Sequence, residues 1–303
     1  MLCAARKKIL SLQEIVYLIE MRANYSKSII IAIIAVIYAI VIVVGIFVFD
    51  KFSAVVPELW ALFIADVVAT IITWGFGLVY ENVSIYDPYW SVIPPVAFLI
   101  WAIYKSCWTI PVILLLLAVW YWGFRLTGNW AYTFKGLGHE DWRYTRYRNT
   151  LSPILFQLIN FFGLNMIPTL VVFVCMLPGF GLFDASLSTN WLTLFGFAIC
   201  ISSATIQLVA DIQIHRFRNS HPGQVCNVGL WKHGRHPNYF GEIQMWWGVW
   251  VMYASLYGID WLILAPIAMT ALFLFISVPM MERRQLENKP GYADYKKATR
   301  IFI

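Results

Sequence analysis

The chain has 303 residues, 60% of them hydrophobic and 13% charged, with a mean hydropathy of +0.69. A soluble domain carries about 25% charged residues, so this composition excludes a water-soluble globule and leaves a multi-pass membrane protein. The net charge of +6 comes from basic loops gathered on one side of the membrane, and does not point to nucleic-acid binding.

Residues 1–27 read as a short amphipathic helix lying on the cytosolic face. They do not read as a cleavable signal peptide: the apolar stretch that follows is too long for a signal's hydrophobic region, and no small-residue cleavage site comes after it. A membrane-crossing helix needs about 20 mainly apolar residues. Eight stretches approach that: 28–49, 57–80, 91–104, 108–124, 151–177, 191–210, 239–257 and 259–281. The third is the weakest, squeezed by Pro94, Pro95 and Lys105. With the N-terminus in the cytosol, every lysine and arginine except Lys51 and Lys105 falls on the cytosolic side, as the positive-inside rule requires. The expected fold is therefore an all-α transmembrane helical bundle of seven or eight spans with both termini cytosolic. It divides into an N-terminal segment (1–27), an extra first span (28–56) and the main membrane domain (57–303). A bacterial inner membrane and the endoplasmic reticulum both suit this topology.

Cys3, Cys107, Cys175, Cys200 and Cys226 have no metal-ligand spacing and read as small apolar packing residues. No metal is expected. Nor does any Gly-x-Gly-x-x-Gly follow a strand: Gly75/Gly77, Gly136/Gly138 and Gly179/Gly181 all lack the third glycine. A nucleotide would have to sit inside the helical bundle.

Four polar segments come to the cytosolic face: 125–150, the end of the sixth span, the stretch 230–242, and 282–296. In the second of these Gln207, Asp211, His215 and Arg218 share one helical face. A carboxylate there is expensive unless it is paired or serves a ligand. Two readings stand: an interhelical ion pair, or a pocket for a polar, anionic ligand. The third segment packs Lys232, His233, Arg235, His236, Asn238 and Glu242 at the mouth of a hydrophobic helix, with Pro237 suited to its first turn. Cations neutralise phosphates, arginine bidentately, while carboxylates and amides take ribose hydroxyls or a carboxamide. This set suits a nucleotide cofactor.

The run Gly229-Leu-Trp-(x)3-Gly-Arg-His-Pro-Asn-Tyr-Phe-Gly-Glu242, with Glu282 and the tail Pro290-Gly-Tyr-(x)2-Tyr-Lys296, resembles the C-terminal module of the steroid 5-alpha-reductase superfamily. It is closest to that superfamily's DUF1295 group, which Glu140-Asp-Trp-Arg-Tyr and Asn82-x-Ser-x-x-Asp-Pro-Tyr-Trp-Ser91 also fit. The Arg-His-Pro-x-Tyr core is shared with sterol C14 reductases and isoprenylcysteine carboxyl methyltransferases, so it specifies the superfamily strongly and the reaction weakly. The resemblance implies a seven-helix bundle binding NADPH in a cytosol-facing cavity, with a lipid-like substrate entering from the membrane. It assigns Arg125, Asp211, Arg218, Arg235, His236, Asn238, Tyr239, Glu242, Glu282, Tyr292 and Tyr295 to the cofactor.

Reduction of an enone places charge on its carbonyl oxygen, which a positioned acid must meet. By loose alignment Asp87 and Tyr121 fall near the family's acid and tyrosine, although the family's Gln-Glu pair is absent. Asp87-Pro88 also reads as a helix cap, and Asp66 in the second span is another candidate acid. The alternative activity is an S-adenosylmethionine-dependent membrane methyltransferase.

Overall fold

The computed structural model describes residues 26–184, 186 and 188–303. The expected amphipathic segment 1–27 therefore lies, apart from its last two residues, outside the described residues, as does Cys3. Every regular element among the described residues is a helix, and one isolated bridge joins Gly234 to Arg300.

Among the described residues the helices of seven residues or more are α1 (Lys27–Ser53), α2 (Glu58–Val79), α3 (Tyr89–Lys105), α4 (Ile110–Thr133), α5 (Trp142–Thr150), α6 (Pro153–Phe180), α7 (Trp191–Ser220), α8 (Pro237–Tyr257), α9 (Trp261–Asn288) and α10 (Tyr292–Ala298). Six of them are long and apolar enough to cross a membrane: α1, α2, α4, α6, α7 and α9. The remaining two stretches expected to span are helical as well. One is α3, 17 residues long with Pro94 and Pro95 inside it. The other is α8, whose Asn238, Glu242 and Gln244 dilute its hydropathy.

Sequence signals account for the helix starts. Ser26 accepts from Ile29 N ahead of α1, and Asn190 with Thr193 forms a capping box on α7. Proline takes the first turn of α4, α6 and α8, where its missing N–H costs nothing. α6 and α9 each contain a π-helical stretch, Ile159–Met166 and Phe273–Ser277.

The closest pair is α7 against α8, and small residues make it possible. A β-carbon at Gly196 would lie 2.7 Å from Met252 N, one at Gly241 2.7 Å from Ser203 O, and one at Gly248 2.5 Å from Cys200 Sγ. Two backbones in near contact are a known route to helix association in membranes. α8 is thereby drawn into the centre, with Gly241, Glu242, Met245, Trp246 and Val249 buried. The main apolar core runs through α2, α3, α4, α6, α7 and α8. A second cluster ties α1 through Ile34, Tyr38 and Val41 to Tyr86, Tyr89 and Phe134. Cys107, Cys175, Cys200 and Cys226 are buried and free.

Candidate functional site

Two buried polar clusters meet at the end of the bundle where α4 and α7 finish and α8 begins. The first centres on Arg125, whose side chain is 3% exposed. Its Nη1 donates to Asp211 Oδ2 at 2.9 Å, and Nη2 donates to Gln207 Oε1 and lies 3.9 Å from Glu242 Oε2. Glu242 in turn accepts from Trp122 Nε1 at 2.9 Å and Trp246 Nε1 at 3.2 Å. The polar face of α7 thus divides. Gln207 and Asp211 accept from Arg125, His215 meets Asn129 Oδ1 at 2.7 Å, and the face lines two cavities, Arg218 one and Asp211 with His215 the other, beside Arg125 and Arg216. The interhelical ion pair is present, between Asp211 and Arg125.

The second cluster centres on Arg235. Its Nε donates to Glu282 Oε1 at 2.7 Å, and its Nη1 donates to the carbonyls of Lys296, at 3.0 Å, and Thr299. Glu282 also meets Lys296 Nζ at 2.7 Å and His236 Nε2 at 3.4 Å. The backbone N–H groups of Arg235 and His236 donate to the carbonyls of Arg300 (2.9 Å) and Ile301 (3.0 Å), and Tyr295 donates to the Trp231 carbonyl. The Arg-His-Pro run is therefore a clamp on the C-terminal tail. Gly234 permits the close approach, since a β-carbon there would lie 2.9 Å from Ile303 N. Gly229 supplies a φ of +58° just upstream, a conformation that favours glycine, and Trp231 Nε1 anchors the loop to Ala210 O at 2.9 Å.

A cavity of about 520 Å³ lies beside this clamp, lined among others by Arg218, Asn238, Tyr239, Gln285, Lys289 and Tyr292. Arg235, His236 and Tyr295 complete its wall. His236 and Tyr239 stack at 5.2 Å and 7°. No carboxylate lines the cavity. The Arg218 and Lys289 side chains form no ion pair or hydrogen bond among the described residues, and neither does the Asn238 amide. Burial lowers the pKa of Lys289, and the Arg218 charge lowers it further. Burial also pushes Tyr292 up to about 12. The cavity wall is positively charged, and the Asp211 carboxylate outside it acts electrostatically on Arg218.

Of the cofactor residues expected from the sequence, Arg218, Arg235, His236, Asn238, Tyr239, Tyr292 and Tyr295 line this cavity. Arg125, Asp211, Glu242 and Glu282 do not line it; they sit in the two braces behind it. The structure does not bring Asp87 and Tyr121 together. Asp87 accepts from the Tyr144 hydroxyl at 2.5 Å and lies 3.9 Å from Arg143 Nη2. Burial lifts its carboxyl to about 6, against the pull of Arg143. Tyr121 meets Thr205 Oγ1 at 3.2 Å between α4 and α7. Asp66, in α2, pairs with Tyr89.

The family model described as "protein of unknown function (DUF1295)" matches residues 73–299. The chain belongs to the DUF1295 family, which lies within the steroid 5-alpha-reductase-like group. An uncharacterized protein of Schizosaccharomyces pombe is 25% identical, over 76% of this chain and 75% of the relative. No solved structure matches the chain.

The DUF1295 match takes in the whole cavity wall and every side chain of the two braces. It begins after α1 and after Asp66. Sequence reasoning missed Gln285, Lys289 and Tyr144. The signal for Lys289 was present, one residue before Pro290-Gly291, where the end of α9 turns it toward the cavity. For Tyr144 it was the Asp141 cap, which accepts from Arg143 N at 3.0 Å and starts α5 with Tyr144 on its buried side.

Proposed function

We propose that this protein is an integral-membrane, NADPH-dependent reductase of a carbon–carbon double bond conjugated to a carbonyl, in a steroid-like or isoprenoid lipid. The observation that carries the reading is the cavity beside the Arg235 clamp, with Arg218 and Lys289 in its wall and no carboxylate among its lining residues. The donor set fits a dinucleotide. Arg218 and Lys289 would hold phosphates, charge-assisted and bidentate in the arginine's case. The amides of Asn238 and Gln285 would take ribose hydroxyls or the carboxamide, and the stacked pair His236/Tyr239 offers a ring face. Bound there, NADPH supplies the hydride.

The chain's own part is binding, orientation and proton supply. Arg235 and Glu282 fix the tail that brings Tyr292 and Tyr295 to the cavity. The Arg125–Asp211–Glu242 cluster holds α4, α7 and α8 in register behind it. Asp87 is the candidate acid: its carboxyl at about 6 exchanges a proton near neutral pH, the range in which general acids work best. The Tyr144 hydroxyl holds its position.

S-adenosylmethionine has no phosphate and would leave both cations without a partner, which favours the reductase over a methyltransferase. The test is equilibrium binding of NADPH, NADH and S-adenosylmethionine to the detergent-purified protein, beside Arg218→Ala and Asn238→Ala. Saturable NADPH binding weakened at least ten-fold in both variants is expected. Binding of S-adenosylmethionine alone, or of none of the three, overturns the proposal.

A further inference from the structure

Asp66 lies on α2 in the middle of an apolar run and is 7% exposed. The Tyr89 hydroxyl, at the start of α3, donates to its Oδ1 at 2.6 Å and to its backbone carbonyl at 2.9 Å. The second carboxyl oxygen has no hydrogen bond among the described residues. Two cavities open on this group. One is a slot of about 480 Å³ between α1, α2, α3 and α6, with Val41, Gly45, Ala65, Ala97 and Met176 in its wall. The other, about 190 Å³, reaches Tyr89, Trp90 and Thr169. Asp66, Ile93 and Met176 belong to both. In the larger slot Asp66 is the one polar side chain of the wall, and the rim residue Ile46 on α1 is exposed on the outer face of the bundle.

An ionisable group inside a membrane span is costly and marks a functional position unless it is fully paired. Asp66 is half paired, and its free oxygen is served by a long apolar space that opens sideways. We infer that the slot is a binding site for a lipid alcohol: an elongated apolar molecule carrying one hydroxyl, which enters from the bilayer and bonds to Asp66. A hydroxyl both donates and accepts, so it matches the carboxyl in either protonation state. A ketone only accepts and matches the protonated acid alone. An ether likewise only accepts, and a hydrocarbon leaves the carboxyl unserved. α1 and Asp66 both precede the residues that the DUF1295 model matches, so the slot is built in part from sequence the family model does not cover. The inference stands apart from the nicotinamide reading and needs no cofactor.

The test is saturation binding of tritiated cholesterol and tritiated farnesol to the full chain in detergent, competed by the corresponding methyl ethers and ketones. Two variants accompany the wild type. Asp66→Leu removes the hydrogen-bonding group. Gly45→Leu fills the slot, and nothing lies within 4 Å of a β-carbon at that position, so the helix tolerates the change. Size-exclusion profile and melting temperature report that each variant is folded. Saturable binding of either alcohol is expected, with its methyl ether competing at least ten-fold more weakly and both variants losing affinity at least ten-fold. Which alcohol binds separates a sterol from a linear isoprenoid site. No binding of either alcohol, equal competition by the ether or ketone, or unchanged affinity in Gly45→Leu overturns the inference.

Discussion

Arg235 donates from Nε to Glu282 Oε1 at 2.7 Å, with both side chains buried, and this bond fixes where the C-terminal tail lies. The same guanidinium holds the carbonyls of Lys296 and Thr299, so one side chain ties the start of α8, α9 and the end of α10 into a single body. A buried ion pair adds little over a well-packed apolar isostere, but leaving one partner alone is severe.

Glu282→Ala leaves Arg235 buried and strips its partner from Lys296. The expected cost is about 3–5 kcal/mol, read as a lower melting temperature in detergent. Limited proteolysis between residues 289 and 301 should also accelerate. An unchanged cleavage pattern would contradict the clamp.

The Arg125 cluster makes a parallel case with a built-in control. Asp211→Ala leaves a guanidinium whose side chain is 3% exposed with only Gln207 and the more distant Glu242 as partners, and should destabilise by roughly 3 kcal/mol. The double variant Arg125→Met/Asp211→Leu removes both charges and should recover much of that loss. A double variant as unstable as the sum of the singles would show that the two residues do not act as a pair.

Asp87 gives stability a pH dependence of unusual sign. Its folded carboxyl titrates at about 6, above its ordinary value near 4. Between those two pH values the folded state holds a proton that the unfolded state has released. Stability therefore falls as pH rises from about 4 to about 6, by on the order of 2 kcal/mol, and is flat above. Asp87→Asn should remove this slope, as seen in melting temperatures across pH 4–7.

The α7–α8 contact depends on the absence of side chains. A methyl group at Gly196 meets Met252 N at 2.7 Å and Gly248 O at 2.9 Å, and backbone cannot yield as a flexible side chain does. Gly196→Ala is expected to cost about 1–3 kcal/mol. Gly75→Ala, with nothing within 4 Å, should be neutral or slightly stabilising.

Much of this architecture was legible before any coordinates. Runs such as 28–49 are apolar enough to require a bilayer, and the run 229–242 announced both the family and the neighbourhood of the cavity. The partners were not legible. Asp211 meets Arg125 across 86 residues and Asp87 meets Tyr144 across 57, and helical periodicity carries no information about which distant helix a polar face will meet. It placed Asp211 and Arg218 on one face, yet only the packing of α4 against α7 decides that Asp211 pairs with Arg125 while Arg218 lines a cavity. Glu242 and Glu282 looked like ligands for the same reason that they serve as braces: a buried carboxylate is expensive in either role.

The bond pattern between Gly234–His236 and Arg300–Ile301 also sets an order of events during synthesis. The cavity's wall is complete only when residues 292–301 have folded back against a helix that left the ribosome some sixty residues earlier. Nascent chains halted short of that point carry all six long apolar helices in their membrane and still have an open, unfinished pocket.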